Sequence, residues 1–185
     1  MKKYSFLALF LMLLLGSGCD VSSTTEKPDE VSRGTIGYLV DAPISGVRYE
    51  CGSRLGTTNA EGKFQCVTLP VHFSVGTLLL GSIIEFTDDS KVYPQDLLNI
   101  ERSNFTDSRL IIITRFLQSL DDDGSYEDGI NIPTSISDKF LNYSVLFRES
   151  ALDEYIALAG VALVSEEYAM AHLKKNMSVL GDDKE

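Results

Sequence analysis

The densest set of groups able to do chemistry is the run Asp121-Asp122-Asp123-Gly124-Ser125-Tyr126-Glu127-Asp128-Gly129. Carboxylates spaced around a glycine bend resemble the loops that hold hard cations, because calcium takes roughly six to eight oxygens and needs a backbone able to wrap it. Asp121, Asp123 and Asp128 are the candidate calcium ligands. The EF-hand template does not fit: with Gly124 at its sixth place, Ser119 falls at the first, and Ile130 rather than Glu at the twelfth. The alternative is a solvated turn after a helix, acidic because it lies in water. A nucleophile elbow, an H-E-x-x-H pair and a glycine-rich phosphate loop are all absent from the sequence. His72, beside Phe73, and His172, in Ala-Met-Ala-His-Leu, have apolar neighbours, the setting of a core or interface histidine rather than a general base. A metal-assisted hydrolase using the acidic loop 121–128 is the one enzymatic reading these residues leave open.

The cysteines divide into one and two. Cys19 closes the opening MKKYSFLALFLMLLLGSGC, where Lys2 and Lys3 precede an apolar run, Phe6 to Leu15, too short to span a bilayer, and Gly16-Ser17-Gly18 supply small residues for a signal peptidase. A Cys directly after them resembles the lipobox of bacterial lipoproteins, with Gly16 standing where Leu is usual. That resemblance implies removal of residues 1–18 and acylation of Cys19, so that the membrane is a partner through a lipid anchor; a plain secretory leader is the alternative. In an exported chain Cys51 and Cys66 form an even pair, expected to close a disulfide in an oxidising compartment. Zinc is the other use of two thiols, but two histidines far apart in sequence do not give the clustered spacing of a zinc site. Between the cysteines, Asn59-Ala60-Glu61-Gly62 is a turn signal expected to fold Tyr49-Glu50-Cys51 back towards Phe64-Gln65-Cys66.

The chain has 16 basic against 27 acidic residues, a formal charge of −11 that grows more negative when Lys2 and Lys3 leave with the leader. Nucleic acid is excluded as a partner by this reading, since the longest basic run beyond the leader is Lys174-Lys175 and phosphate neutralisation needs a basic stripe. The acidity reads as self-repulsion and solubility at a cell surface.

These residues need elements to hold them. Residues 1–18 read as the leader, and 19–34 as the lipidated Cys and a polar, flexible tether. Residues 35–90 form a β-module, 91–180 a helical segment packed on it, and 181–185 a fraying tail. From Thr35, β-prone runs alternate with Gly, Pro, Asn and Asp; in His72-Phe73-Ser74-Val75-Gly76-Thr77-Leu78-Leu79 the residues Phe73, Val75, Thr77 and Leu79 alternate as in a half-buried strand. In Asn104–Leu120 the residues Leu110, Ile113, Leu117 and Leu120 share one helical face with Phe116 beside them, predicting a helix over about 106–119, with Asn104 and Asp107 forming a capping box. The run Leu110-Ile111-Ile112-Ile113 is apolar all round, so this helix is expected at the centre. A short helix over about 151–158, broken at Gly160, and a longer one from Ser165-Glu166-Glu167 complete an α+β fold: a small antiparallel sandwich or sheet (35–87), then a helical half.

In order, the segments VDAPISGVRYECGSRLGTTNAEGKF, FSVGTLLLGS, Tyr93-Pro94-Gln95-Asp96-Leu97, ITRFLQSLDDDGSYEDGINI and EEYAMAHL resemble the lipoprotein module at or near the N-terminus of large surface proteins of Vibrio-like and other marine gammaproteobacteria, among them relatives of accessory colonisation factor. The likeness covers about residues 35–175. It implies a carboxypeptidase-regulatory or Ig-like β-module, with GTTNAEGKF as a hairpin, and a non-enzymatic, surface or secretion-associated module that binds an envelope protein or glycan and needs no cofactor. The relatives' peptidase-like domains have no counterpart here. Asp20 resembles the signal that retains lipoproteins in the inner membrane, whereas the family likeness favours the outer membrane or cell surface.

Overall fold

The structure, a computed structural model, describes residues 34–125 and 128–181. The expected leader, Cys19, the tether apart from Gly34, Tyr126, Glu127 and the tail beyond Gly181 lie outside the described residues.

Short alternating segments produce the β-half. β1 (Thr35–Leu39), β2 (Ile44–Ser45), β3 (Arg48–Cys51), β4 (Arg54–Thr57), β5 (Lys63–Cys66), β6 (Val71–Val75), β7 (Leu78–Ile83) and β8 (Lys91–Val92) precede the helices. β1 lies between β5, antiparallel, and β8, parallel, while a second sheet runs β4-β3-β6-β7 with antiparallel neighbours. The inward residues of the two sheets meet in one core, where Phe64 of β5 stands 5.8 Å from Tyr49 of β3 and 5.0 Å, edge-on, from Phe73 of β6.

The Asn59–Gly62 turn forms, but it does not pair the strands expected of it. Asn59 Oδ1 accepts from the Glu61 and Lys63 amides, and Gly62 sits at φ +72°, where a Cβ would collide with the Leu39 carbonyl oxygen. β3 has already turned at Gly52-Ser53 to pair with β4, so Asn59–Gly62 hands the chain from the second sheet to the first and does not close a hairpin. The alternation through 73–79 also breaks. Gly76 and Thr77 form the turn between β6 and β7, which puts Leu78 and Leu80 inside and leaves Leu79 half-buried.

In the helical half, α1 (Pro94–Leu97), α2 (Ser108–Ser119), β9 (Ile130–Asn131), α3 (Thr134–Ser137), α4 (Leu152–Ala159) and α5 (Glu166–Gly181) follow, with single 3-10 turns at Asp138–Phe140 and Glu149–Ala151. α2 starts later than the capping box predicts: Asp107 alone caps it, accepting from the Arg109 amide at 2.9 Å, while Asn104 Oδ1 accepts from Thr106 in the loop before. Its burial is as the pattern predicts. Ile113, Phe116, Leu117 and Leu120 enter the main core, and Leu110 enters a second cluster with Val40, Tyr93, Met170 and Leu173. Phe116 is ringed by Phe140, Phe147 and Tyr155 at 5.0–5.9 Å. Gly160, at φ +72°, ends α4.

The two halves share strands. β8 adds to β1, and β9 pairs in parallel with β2, Ile44 opposite Ile130 and Ser45 opposite Asn131. Sheet pairing therefore extends past residue 90 into the segment read as helical. The α+β architecture, with its sheets in the N-terminal part, stands.

Candidate functional site

The acidic loop is placed by the end of α2 and by the β2–β9 pair. After the cap at Leu120 the Asp122 amide donates to the Asn131 carbonyl at 3.1 Å, and Asp121 Oδ1 accepts from the Asn131 amide at 2.8 Å. Asp122 Oδ2 accepts from Asn131 Nδ2 at 2.8 Å, and Ser45 Oγ donates to Asn131 Oδ1 at 2.7 Å. Asp123 Oδ1 accepts from the Ser125 amide at 2.7 Å, an Asx turn. A recess of about 270 Å³ opens here, lined by Pro43, Ser45, Asp121–Asp123, Asp128 and Asn131 among others.

One oxygen from each of Asp121, Asp122 and Asp123 falls within 4.8 Å of the others. Asp121 Oδ2 is shielded from solvent and has no hydrogen-bond partner. Burial pushes the Asp121 carboxyl up, the Asn131 amide opposes this, and the charges of Asp123 and Asp122 add to the rise. Of the three expected ligands, the structure brings Asp121 and Asp123 together and places Asp128 on the wall of the recess outside the triplet. Asp122 takes the third place. Its signal was in the sequence, as an unbroken run of three aspartates, but a reading by alternate positions passes over it. Tyr126 and Glu127 lie outside the described residues. Three oxygens are fewer than calcium's usual complement, so this site would need backbone carbonyls and water to complete it.

The two remaining cysteines are joined. Cys51 and Cys66 form a disulfide with a Cα–Cα distance of 6.0 Å, both residues buried. Because β3 and β5 belong to different sheets, the bond ties one sheet to the other. It leaves neither sulfur as a zinc thiolate or nucleophile.

A second polar cluster is not apparent from the sequence. Asp41, fully buried after β1, accepts from Gln118 Nε2 at 2.7 Å and has Oδ1 3.3 Å from His172 Nδ1. Gln118 also donates to the Ala169 carbonyl, and Asn176 Nδ2 donates to the Asp41 carbonyl. The group links the β1 exit to α2 and α5. His172 is buried among these partners, in agreement with its reading as a core histidine.

At Tyr93-Pro94-Gln95-Asp96-Leu97 the chain builds an ion cluster. Arg102 Nη1 is 2.7 Å from Asp89, Nη2 is 2.9 Å from Asp96 and 2.7 Å from the Lys91 carbonyl, and the guanidinium lies over the Tyr93 ring at 4.7 Å. These bonds fix the β8–α1 corner.

Comparison with protein-family models, with curated proteins and with solved structures returns no match. Among the described residues no helix is long and apolar enough to cross a membrane.

Proposed function

We propose that this chain is a non-enzymatic lipoprotein of the cell envelope, anchored through Cys19, whose β-half and helical half present a surface to an envelope protein or glycan. The observation that carries the reading is the buried Cys51–Cys66 disulfide, since such bonds persist in oxidising compartments, and the leader-like pattern of the first residues supports it. The family likeness across about residues 35–175 supports a surface or secretion-associated role, at the outer membrane or cell surface rather than the inner membrane. Crosslinking in intact cells tests it. The wild-type chain should repeatedly recover one envelope partner, and Cys19→Ser should lose it. Recovery of none, with adhesion, biofilm and secretion unchanged in a deletion strain, would count against the reading.

A second reading is favoured by one observation, the convergence of Asp121, Asp122 and Asp123 beside a recess. A divalent cation held there could polarise a substrate or activate water, which makes a small metal-assisted hydrolase the alternative. An activity screen with and without divalent metals decides it: no turnover in either condition, and an intact phenotype for Asp123→Ala, removes it.

A further inference from the structure

Four of the large exposed apolar side chains gather at one end of the β-half, where the chain emerges from residue 33. Val67 (44% exposed) and Leu69 (39%) lie in the loop after β5, and Ile36 (38%) pairs with Gln65, which makes Val67 its diagonal neighbour on the same face. Ile84 (70%) directly follows Ile83, the strand partner of Val71. Gly34 belongs to the same end, since a Cβ on it would lie 3.0 Å from Val67 Cγ1. The turn between β3 and β4 joins it through Gly52, whose Cβ would meet Thr68 Oγ1 at 2.8 Å.

In a chain of net charge −11, the segments 34–36, 52–54 and 67–70 contain no carboxylate and one cation, Arg54. Two exposed acids border this end, Glu50 on β3 and Glu85 directly after Ile84. An apolar tip at the point where the tether enters suits a phospholipid surface, whose acyl boundary accepts apolar side chains.

We infer that this tip docks on the bilayer that holds the lipid anchor, setting the domain's orientation on the membrane. The inference rests on acylation of Cys19. Residues 20–33 can span at most about 50 Å whatever their conformation, so an anchored domain meets the bilayer at an effective concentration on the order of millimolar. At that concentration a few half-exposed side chains suffice, although they would not bind an untethered domain. The acidic recess and the rest of the surface then remain available to a partner.

The chain has no tryptophan, so a single introduced one reports position. Leu69→Trp and, separately, Ile84→Trp probe the tip. Leu141→Trp, half-exposed beside the Gly76–Thr77 turn at the opposite end of β6, is the control. Each full-length mature protein is purified from membranes, checked by mass for the acyl group and by alkylation for the intact disulfide. It is then placed in vesicles of phosphatidylethanolamine and phosphatidylglycerol containing a phospholipid with brominated acyl chains. The docked tip predicts roughly twofold or greater quenching of the tip tryptophans with a blue shift, and neither change at position 141. Acylated protein in which the tip probes are quenched no more than the control overturns the docking while leaving the anchor in place. A mass without the acyl group overturns the anchor, and the docking with it.

Discussion

Asp121 is the most constrained carboxylate of the acidic recess, with one oxygen bonded to the Asn131 amide and the other enclosed without a partner beside two further negative charges. Asp121→Asn keeps the acceptor and removes a charge. In metal-free buffer its thermal midpoint should stay level or rise by the equivalent of about 0.2–1 kcal/mol. If the triplet holds a cation, millimolar calcium should raise the wild-type midpoint and leave the variant's nearly unmoved. Equal shifts in both would remove calcium from the account. Asp89 behaves in the opposite sense. Burial raises its carboxyl, but bonds from Arg102 and the Lys91 amide outweigh this and hold it below the ordinary 3.8. Its stabilisation is therefore complete above the unfolded value near pH 4 and is lost as pH falls through the lower folded value. Asp89→Asn should flatten the acid limb of stability below about pH 4. A limb as steep as the wild type's in a urea series would contradict this.

The elements test the packing. Asp107 caps α2 and Asn104 does not, so Asp107→Ala should cost about 1 kcal/mol in a denaturant titration and Asn104→Ala much less. The reverse order would move the cap back to the position that spacing suggested. The helices were readable because their signals are local. Leu110, Ile113, Leu117 and Leu120 repeat within one element, and Gly160 stops α4 at its own position. Strand partners were not readable, because no residue in β5 states that its neighbour is β1 rather than β3, and the Asn59–Gly62 turn has the same composition whether it closes a hairpin or crosses between sheets. The same limit hid the buried cluster: Gln118 and Asp41 are 77 positions apart, and each alone looks like a surface residue. The acidic recess was half legible, its carboxylates visible as a run and its floor, Ser45 and Asn131, supplied by a two-residue parallel pairing that leaves no sequence period.

At the scale of the molecule, one covalent bond and one proposed anchor define the arrangement. The Cys51–Cys66 bond spans 15 positions and joins the two sheets. Closing a loop of that size restricts the unfolded chain by about 3 kcal/mol. Reduction should lower the melting temperature, and hydrogen exchange should show β3 and β5 losing protection before α2. Unchanged melting after complete reduction would mean that the sheets hold without the bond. The same disulfide argues for export, and the proposed leader for anchoring, so the proposed envelope assignment rests most directly on Cys19. Intact-mass and N-terminal peptide analysis of protein purified from its own membranes should find a chain beginning at Cys19 and carrying acyl groups. A chain that retains residues 1–18, or begins elsewhere without lipid, would contradict it.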